Sequence, residues 1–315
     1  MKRFIIAVSA LLFATPAAAF PVTVESCGVP VTFERPPERL VVHDINMVEM
    51  ALSLGLQDRM IGVTGITGWY KTSKAFNAKL GDIPELAPKY PSLEVLVSAA
   101  PDLFFAGWYY GMKPGGEVTP ESLTAHGVKT LVLSESCSHL HKNSKPASMD
   151  LLFDDVLRLG KVFARETAAE TLVDGWTKEL DTIRQMVGNR AGTRVFLYDS
   201  GQEKPFTAGR KAIANAMIEA AGGINVMNDM DVSWGRTSWE TVALRDPEFL
   251  ILLDYSNGGG ATDLLEFLRT HPAMKETQAV RNERFVPLRY EELTPGPANI
   301  AAIAKITKAM FPGDS

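Results

Sequence analysis

Between residues 148 and 188 the chain carries helical periodicity and no strand signal, and the same short module stands on either side of that stretch. Leu151, Leu152, Asp155, Leu159 and Val162 form one helical stripe and Leu172, Trp176, Leu180 and Ile183 another, with Gly188 and Gly192 ending the region. On the amino-terminal side Leu93-Glu94-Val95-Leu96 precedes Pro101-Asp102-Leu103-Phe104. On the carboxyl-terminal side Trp239-Glu240-Thr241-Val242 precedes Asp246-Pro247-Glu248-Phe249. Each module is a short helix followed by a strand entered through an aspartate. A chain so divided folds as two halves built on one plan around a helical middle.

The rest of each half alternates strand and helix. Leu40-Val41-Val42, Met60-Ile61-Gly62-Val63, Asp102 to Ala106 and Thr130 to Leu133 are predicted strands. Helices are expected over Met47 to Leu54, Ser92 to Val97 and Pro120 to His126. After the helical middle, strands are expected at Arg194 to Tyr198, Phe249 to Leu253 and Arg284 to Pro287, with helices at Ile213 to Ala221, Trp239 to Leu244 and Ala298 to Phe311. Strictly alternating strands and helices give an α/β fold with parallel-rich sheets covered by helices. Loops at the carboxyl ends of such strands form ligand crevices, and two halves facing each other make a cleft.

Lys2 and Arg3, the apolar run Phe4 to Phe13 and the small residues Ala17-Ala18-Ala19 have the form of a secretory leader, which sets an expected cut after Ala19. The apolar run is about half of the roughly 20 residues that a bilayer span needs. Cys27 follows Val24-Glu25-Ser26, which is not a lipid-attachment context, so the expected product is a soluble periplasmic protein. The expected division is a leader at 1–19, a lobe at 20–147, a helical segment at 148–190 and a second lobe at 191–315. The net charge of −5, with no basic block, argues against nucleic acid as a partner. Cys27 and Cys137 are the two cysteines, and in an oxidising compartment a disulfide is the expected state, two buried thiols being the alternative.

Pro36-Pro37-Glu38-Arg39-Leu40-Val41, Pro91-Ser92-Leu93-Glu94, Ala100-Pro101-Asp102-Leu103, Arg194-Val195-Phe196, Pro205 to Gly209, Ala221 to Val226 and Ser238-Trp239-Glu240 occur in an order and spacing that resemble one family. It is the periplasmic binding proteins that serve ATP-driven importers of iron-siderophores and vitamin B12. The resemblance covers the chain from about Arg35 to its end. It implies the class III architecture: two Rossmann-like lobes joined by a long rigid helix with limited hinge motion. It also implies that Glu94 and Glu240 dock on arginines of a membrane permease, a pairing that suits exposed carboxylates at a fixed separation. The alternative is two solvated helix residues held near N-termini by the dipole.

Aromatics crowd the loops expected to face the cleft: Trp69, Tyr70, Trp108 and Tyr109 in the first half, Trp234, Tyr255 and Tyr290 in the second. Aromatic faces with polar edges suit a large amphipathic ligand, core packing being the alternative. Trp108 and Trp234 resemble tryptophan positions of the vitamin B12 proteins. Arg236 is the best candidate for holding an anionic chelate, with Arg210 and Arg289 nearby in sequence pattern; Asp44 and Asn46 either bond ligand amides or cap the next helix. Glu135, Cys137, His139 and His141 are a weak metal-ligand set, so no metal site is expected.

The expected function is capture of a metal chelate, a ferric siderophore or a corrinoid, for an ABC permease and its ATPase. The expected protein is a monomer without a permanently bound cofactor. A scavenger of metal or heme that works without a permease is the alternative. A hydrolase built on His43, Asp44 and Ser200 is disfavoured, because no G-x-S-x-G turn is present.

Overall fold

The computed structural model describes residues 20–69, 72–141, 144–255 and 260–313. The expected leader lies outside the described residues. Two sheets carry the molecule, and every pairing in them is parallel. In the first, Leu40–His43 is central, flanked by Met60–Thr64 and then Glu85–Ala87 on one side and by Leu103–Trp108 and then Lys129–Val132 on the other. In the second, Thr193–Tyr198 pairs with Gly223–Asn225 on one side and with Phe249–Asp254 on the other, and Phe285–Arg289 closes the edge. The chain therefore reverses direction across each sheet beside its first strand, which places a topological switch point at the ends of Leu40–His43 and Leu103–Trp108, and a second at the ends of Thr193–Tyr198 and Phe249–Asp254.

The two matching modules adopt matching structures. Helix Leu93–Ala99 starts at Ser92, whose hydroxyl accepts from Val95 N at 3.2 Å; helix Trp239–Leu244 starts at Ser238, whose hydroxyl accepts from Thr241 N at 3.1 Å. An arginine at the start of the first strand of each sheet, Arg39 just before Leu40–His43 and Arg194 within Thr193–Tyr198, fastens the end of its helix segment. Arg39 donates to the carbonyls of Ala99 and Ala100, both at 2.8 Å, and Arg194 donates to the Asp246 carbonyl at 3.0 Å. Asp102 in turn accepts the backbone N–H groups of Glu38 and Arg39.

The helical middle is two helices, Asp150–Val162 and Glu166–Val187. The second is unbroken over 22 residues and buries Ala169, Trp176 and Ile183. Phe153 stacks on Trp176 at 6.2 Å, and Ala169 lies against Gly160, where any larger residue would collide. The same long helix packs on Ala298–Met310 and Ile213–Ala220 of the second half. One apolar core runs through both halves along it, from Leu40 and Leu103 to Val195 and Ile251.

Several elements exceed the expectations from sequence, among them helix Lys74–Leu80 and the strands Glu85–Ala87 and Gly223–Asn225. An antiparallel hairpin, Val22–Ser26 with Val29–Phe33, turns at Cys27-Gly28. A short ribbon pairs Phe206–Ala208 with Trp234–Arg236. Helix Gly260–Thr270 follows strand Phe249–Asp254. Cys27 and Cys137 are joined in a disulfide, which fastens the hairpin to the turn Ser134–His139.

Candidate functional site

The ends of strands Leu103–Trp108, Thr193–Tyr198 and Phe249–Asp254, at the two switch points, converge on a cavity of about 690 Å³. From the first half it is lined by Tyr109, Tyr110, Ser138 and His139, and from the second by Asp199, Ser200, Phe206, Trp234, Arg236, Tyr255 and Tyr290, among others. Tyr109 reaches it because the backbone folds back sharply after strand Leu103–Trp108: Gly107 and Tyr110 exchange hydrogen bonds of 2.7 and 2.9 Å, and Tyr109 takes a φ of 65° with its side chain 52% exposed. Gly111 follows at φ 93°, where a Cβ would stand 2.7 Å from the His43 ring. That close approach requires glycine.

The tyrosine hydroxyls of the floor are each bonded to a carboxylate. Tyr290 donates to Asp44 Oδ2 at 2.8 Å, Tyr255 to Asp199 Oδ2 at 3.1 Å, and Tyr110 to Glu135 Oε1 at 3.2 Å. Asp44 and Asp199 occupy matching places, each the residue after the first strand of its parallel sheet. Asp44 also caps helix Ile45–Ser53, accepting from Ile45 N at 2.7 Å with a φ of 68°, a strained conformation for a residue with a Cβ. Burial, followed by the nearby carboxylates, pushes the Tyr255 and Tyr290 hydroxyls well above the usual phenol range, so both keep their protons.

Glu135 is buried where the halves meet. It accepts the backbone N–H of Ile213 at 2.6 Å as well as the Tyr110 hydroxyl. The Trp234 indole N–H lies near it without completing a hydrogen bond. Burial raises the Glu135 carboxyl to about 7 despite these donors. His139 crosses from the other direction, with Nε2 3.3 Å from the Ser233 hydroxyl and its ring edge-on to Tyr109 at 4.6 Å; burial lowers its pKa.

Of the residues expected in the cleft, Tyr109, Trp234, Arg236, Tyr255 and Tyr290 come together in this cavity. Trp234 stacks on Phe206 at 6.0 Å, and Arg236 lies over the other aromatic with its guanidinium 5.6 Å from the Phe206 ring while donating to the Lys204 carbonyl at 2.9 Å. Trp108 must be reassigned. The strand continues two residues past Ala106, so Trp108 falls in step with Phe104 and Ala106 and packs, 5% exposed, among Leu96, Met112 and Leu123. Trp69 is not part of the cavity wall; its ring meets Lys89 and Tyr90, and Tyr90 in turn donates to the Tyr109 carbonyl. Tyr70 lies outside the described residues. Asn46 is buried and donates to the Pro295 carbonyl. Arg210 is paired with Asp231 and Arg289 with Glu291.

The remaining sets weighed from sequence are engaged elsewhere. Cys137 is spent in the disulfide and His141 lies 3.2 Å from the Cys27 carbonyl. Among the described residues no three His, Cys, Asp or Glu side chains are grouped to hold a metal ion. His43 bonds Thr64 and the Ser200 hydroxyl donates to Asp199. Glu94 and Glu240 are exposed in the first turns of their matching helices, and neither carboxylate pairs with another described residue. Tyr110, which continues the aromatic run after Trp108 and Tyr109, also lines the cavity, whereas sequence reasoning missed Asp199, Phe206 and Ser233. Their partners are distant in the chain, Tyr255 being 56 residues from Asp199, so no local pattern marks them.

A solvent-open aromatic cavity at the switch points of two parallel sheets, bridged by a continuous helix, defines a two-lobed ligand-capturing protein. The family model of the periplasmic binding proteins matches residues 40–291. A vitamin B12-binding protein of Yersinia pseudotuberculosis is 22% identical over 242 residues, 76% of this chain and 77% of the relative. A periplasmic binding protein from Veillonella parvula superimposes with a TM-score of 0.80 at 24% identity, over 94% of this chain and 98% of that one. A structure from an ABC-type Fe3+-hydroxamate transport system of Saccharomonospora viridis does so with a TM-score of 0.78 at 25% identity, over 93% and 99%. The chain belongs to the periplasmic binding protein family.

Proposed function

We propose that this protein captures a metal chelate, a ferric siderophore or a corrinoid, in the periplasm and hands it to an ABC permease powered by its ATPase. The observation that carries the reading is the cavity of about 690 Å³, with aromatic rings from both halves around an open mouth. A volume of that size suits a ligand larger than a bare ion, and an aromatic wall with polar edges suits an amphipathic one. Relatives named for vitamin B12 and for Fe3+-hydroxamate transport support the same ligand class. In this reading residues 1–19 are a cleaved leader, the lobes are 20–147 and 191–315, and residues 148–190 join them. The protein acts as a monomer, catalyses no reaction and keeps no permanent cofactor.

Glu94 and Glu240 are the docking carboxylates of this proposal. Their exposure, their matching positions and the arginines that brace both helix segments support that role. Native mass spectrometry of protein purified from periplasm tests the ligand: a co-purifying chelate is identified by its mass and metal, and a bare metal ion alone would count against capture of a chelate. Charge reversal at both glutamates tests docking. Transport is expected to be lost with ligand affinity unchanged; lost affinity would place those residues in the binding site instead.

A further inference from the structure

The two matching modules correspond residue for residue, Ser92 to Asp102 against Ser238 to Glu248. Ser92 and Ser238 cap their helices, with Glu94 and Glu240 two residues on. Arg39 Nε donates to the Ala100 carbonyl at 2.8 Å, and Arg194 Nε to the Asp246 carbonyl at 3.0 Å. Ala100 and Asp246 both turn the chain at positive φ, 48° and 42°. The backbone N–H groups of Arg39 and Arg194 donate to Asp102 Oδ1 and Glu248 Oε2, both at 2.9 Å.

Within that correspondence Ser98 stands opposite Leu244, and both are exposed. Leu244 is 87% exposed, the most of any large hydrophobic side chain among the described residues. Isolated surface leucines are common and need no partner. Here the molecule supplies its own control: the fold makes the same demands at both positions and buries neither, yet one half keeps serine and the other presents leucine. Leu244 is four residues after Glu240, so the two share a helix face, about 6 Å apart along the axis. The polar groups that follow are engaged. Arg245 turns back to donate to both Asp229 oxygens at 2.7 and 2.8 Å, and Asp246 accepts from Gln278 Nε2 at 2.6 Å. That face of helix Trp239–Leu244 therefore offers solvent a carboxylate and, one turn on, an apolar tip.

Resting on the docking role proposed for Glu94 and Glu240, we infer that Leu244 is an apolar anchor of the same docking surface, seated in a nonpolar recess of the permease beside the cationic group that meets Glu240. The partner it fits presents a guanidinium or ammonium and, about 6 Å away, a pocket for a branched aliphatic side chain. Withdrawing a leucine from water favours association where a serine adds almost nothing, so the second half grips more tightly than the first.

Interferometry of the full mature protein on the permease–ATPase complex that imports its cargo, held in nanodiscs, tests this. Leu244→Ser, which copies the first half, and Leu244→Gln are each expected to raise Kd by about tenfold or more, and Ser98→Ala to change it by less than about twofold. Melting temperature and ligand affinity are expected to match wild type in all three, because so exposed a side chain holds little of the fold. A fall in either for the Leu244 variants would give the leucine a structural role and overturn the inference. If both Leu244 variants bind the complex as wild type does while charge reversal at Glu94 and Glu240 abolishes binding, docking stands and the anchor is overturned. If Ser98→Ala weakens binding as much as Leu244→Ser, the halves grip equally and the inference is overturned. If the charge reversals leave binding intact, the docking reading falls and the anchor with it. If sedimentation shows wild type dimeric and Leu244→Ser monomeric, the leucine faces a second copy of this chain, which also overturns the inference.

Discussion

Two residues show how position in a strand decides role. Trp108 and Trp234 look alike in sequence, each an aromatic among glycines, yet one is core and the other lines the cavity. Trp108→Ala is therefore expected to cost about 3–5 kcal/mol in denaturant unfolding, as large truncations in a core do, with ligand affinity unchanged in the folded fraction. Trp234→Phe should instead remove most ligand-dependent fluorescence change at little cost to stability. Glu135 carries a prediction in pH. Its folded-state carboxyl lies at about 7 against an ordinary value of 4.5, so the folded protein holds this proton more tightly than the unfolded chain. Its contribution is most favourable below about 4.5 and is lost as pH rises to about 7. Urea melts at pH 5 and pH 8 should show wild type losing up to roughly 3 kcal/mol relative to Glu135→Gln between the two. Identical slopes would mean that the carboxyl is already ionised at pH 5. None of this was legible in the sequence, because Glu135 meets Ile213 across 78 residues and its burial arises only when the halves meet.

At the scale of elements, most of the sheets and helices were legible, since apolar runs and three-and-four spacing survive in any context that buries them. Two failures have physical causes. Helix Gly260–Thr270 hides behind a glycine triplet that signals a loop, although Ala261, Leu265 and Leu268 supply its buried stripe. The hairpin Val22–Ser26 with Val29–Phe33 alternates buried and exposed residues only on its first strand; the second is mostly exposed, and the pair is held to the body by the Cys27–Cys137 bridge. That bridge closes a separation of 110 residues, for which the chain-entropy account gives roughly 4–5 kcal/mol. Replacing both cysteines by serine should lower the melting temperature and raise hydrogen exchange in Ser134–His139, the turn that carries Glu135 and His139. The bracing arginines act on another element. Arg39→Ala removes two hydrogen bonds to the carbonyls that end helix Leu93–Ala99, and exchange mass spectrometry should report faster exchange there with the cavity unaffected.

At the scale of the molecule, the division into two α/β halves about a helical middle was legible because the modules around Glu94 and Glu240 repeat. What joins them was legible only as periodicity; the packing of Glu166–Val187 on Asp150–Val162 and on helices Ile213–Ala220 and Ala298–Met310 emerges from contacts that no local pattern shows. A single unbroken helix set in a shared core resists bending, since a bend would break backbone hydrogen bonds and open close contacts such as Ala169 on Gly160. Empty and loaded protein should therefore give superimposable small-angle scattering profiles, and a large contraction on loading would show that the helix does not act as a strut.

A carrier built on a strut faces a problem of information. If the distance between Glu94 and Glu240 is the same whether or not the cavity is filled, that distance cannot report the cargo. A membrane partner that grips both carboxylates would bind the empty and the laden carrier alike. Telling them apart then falls to whatever is visible at the cavity mouth: the chelate itself, or the Tyr109 turn settled against it.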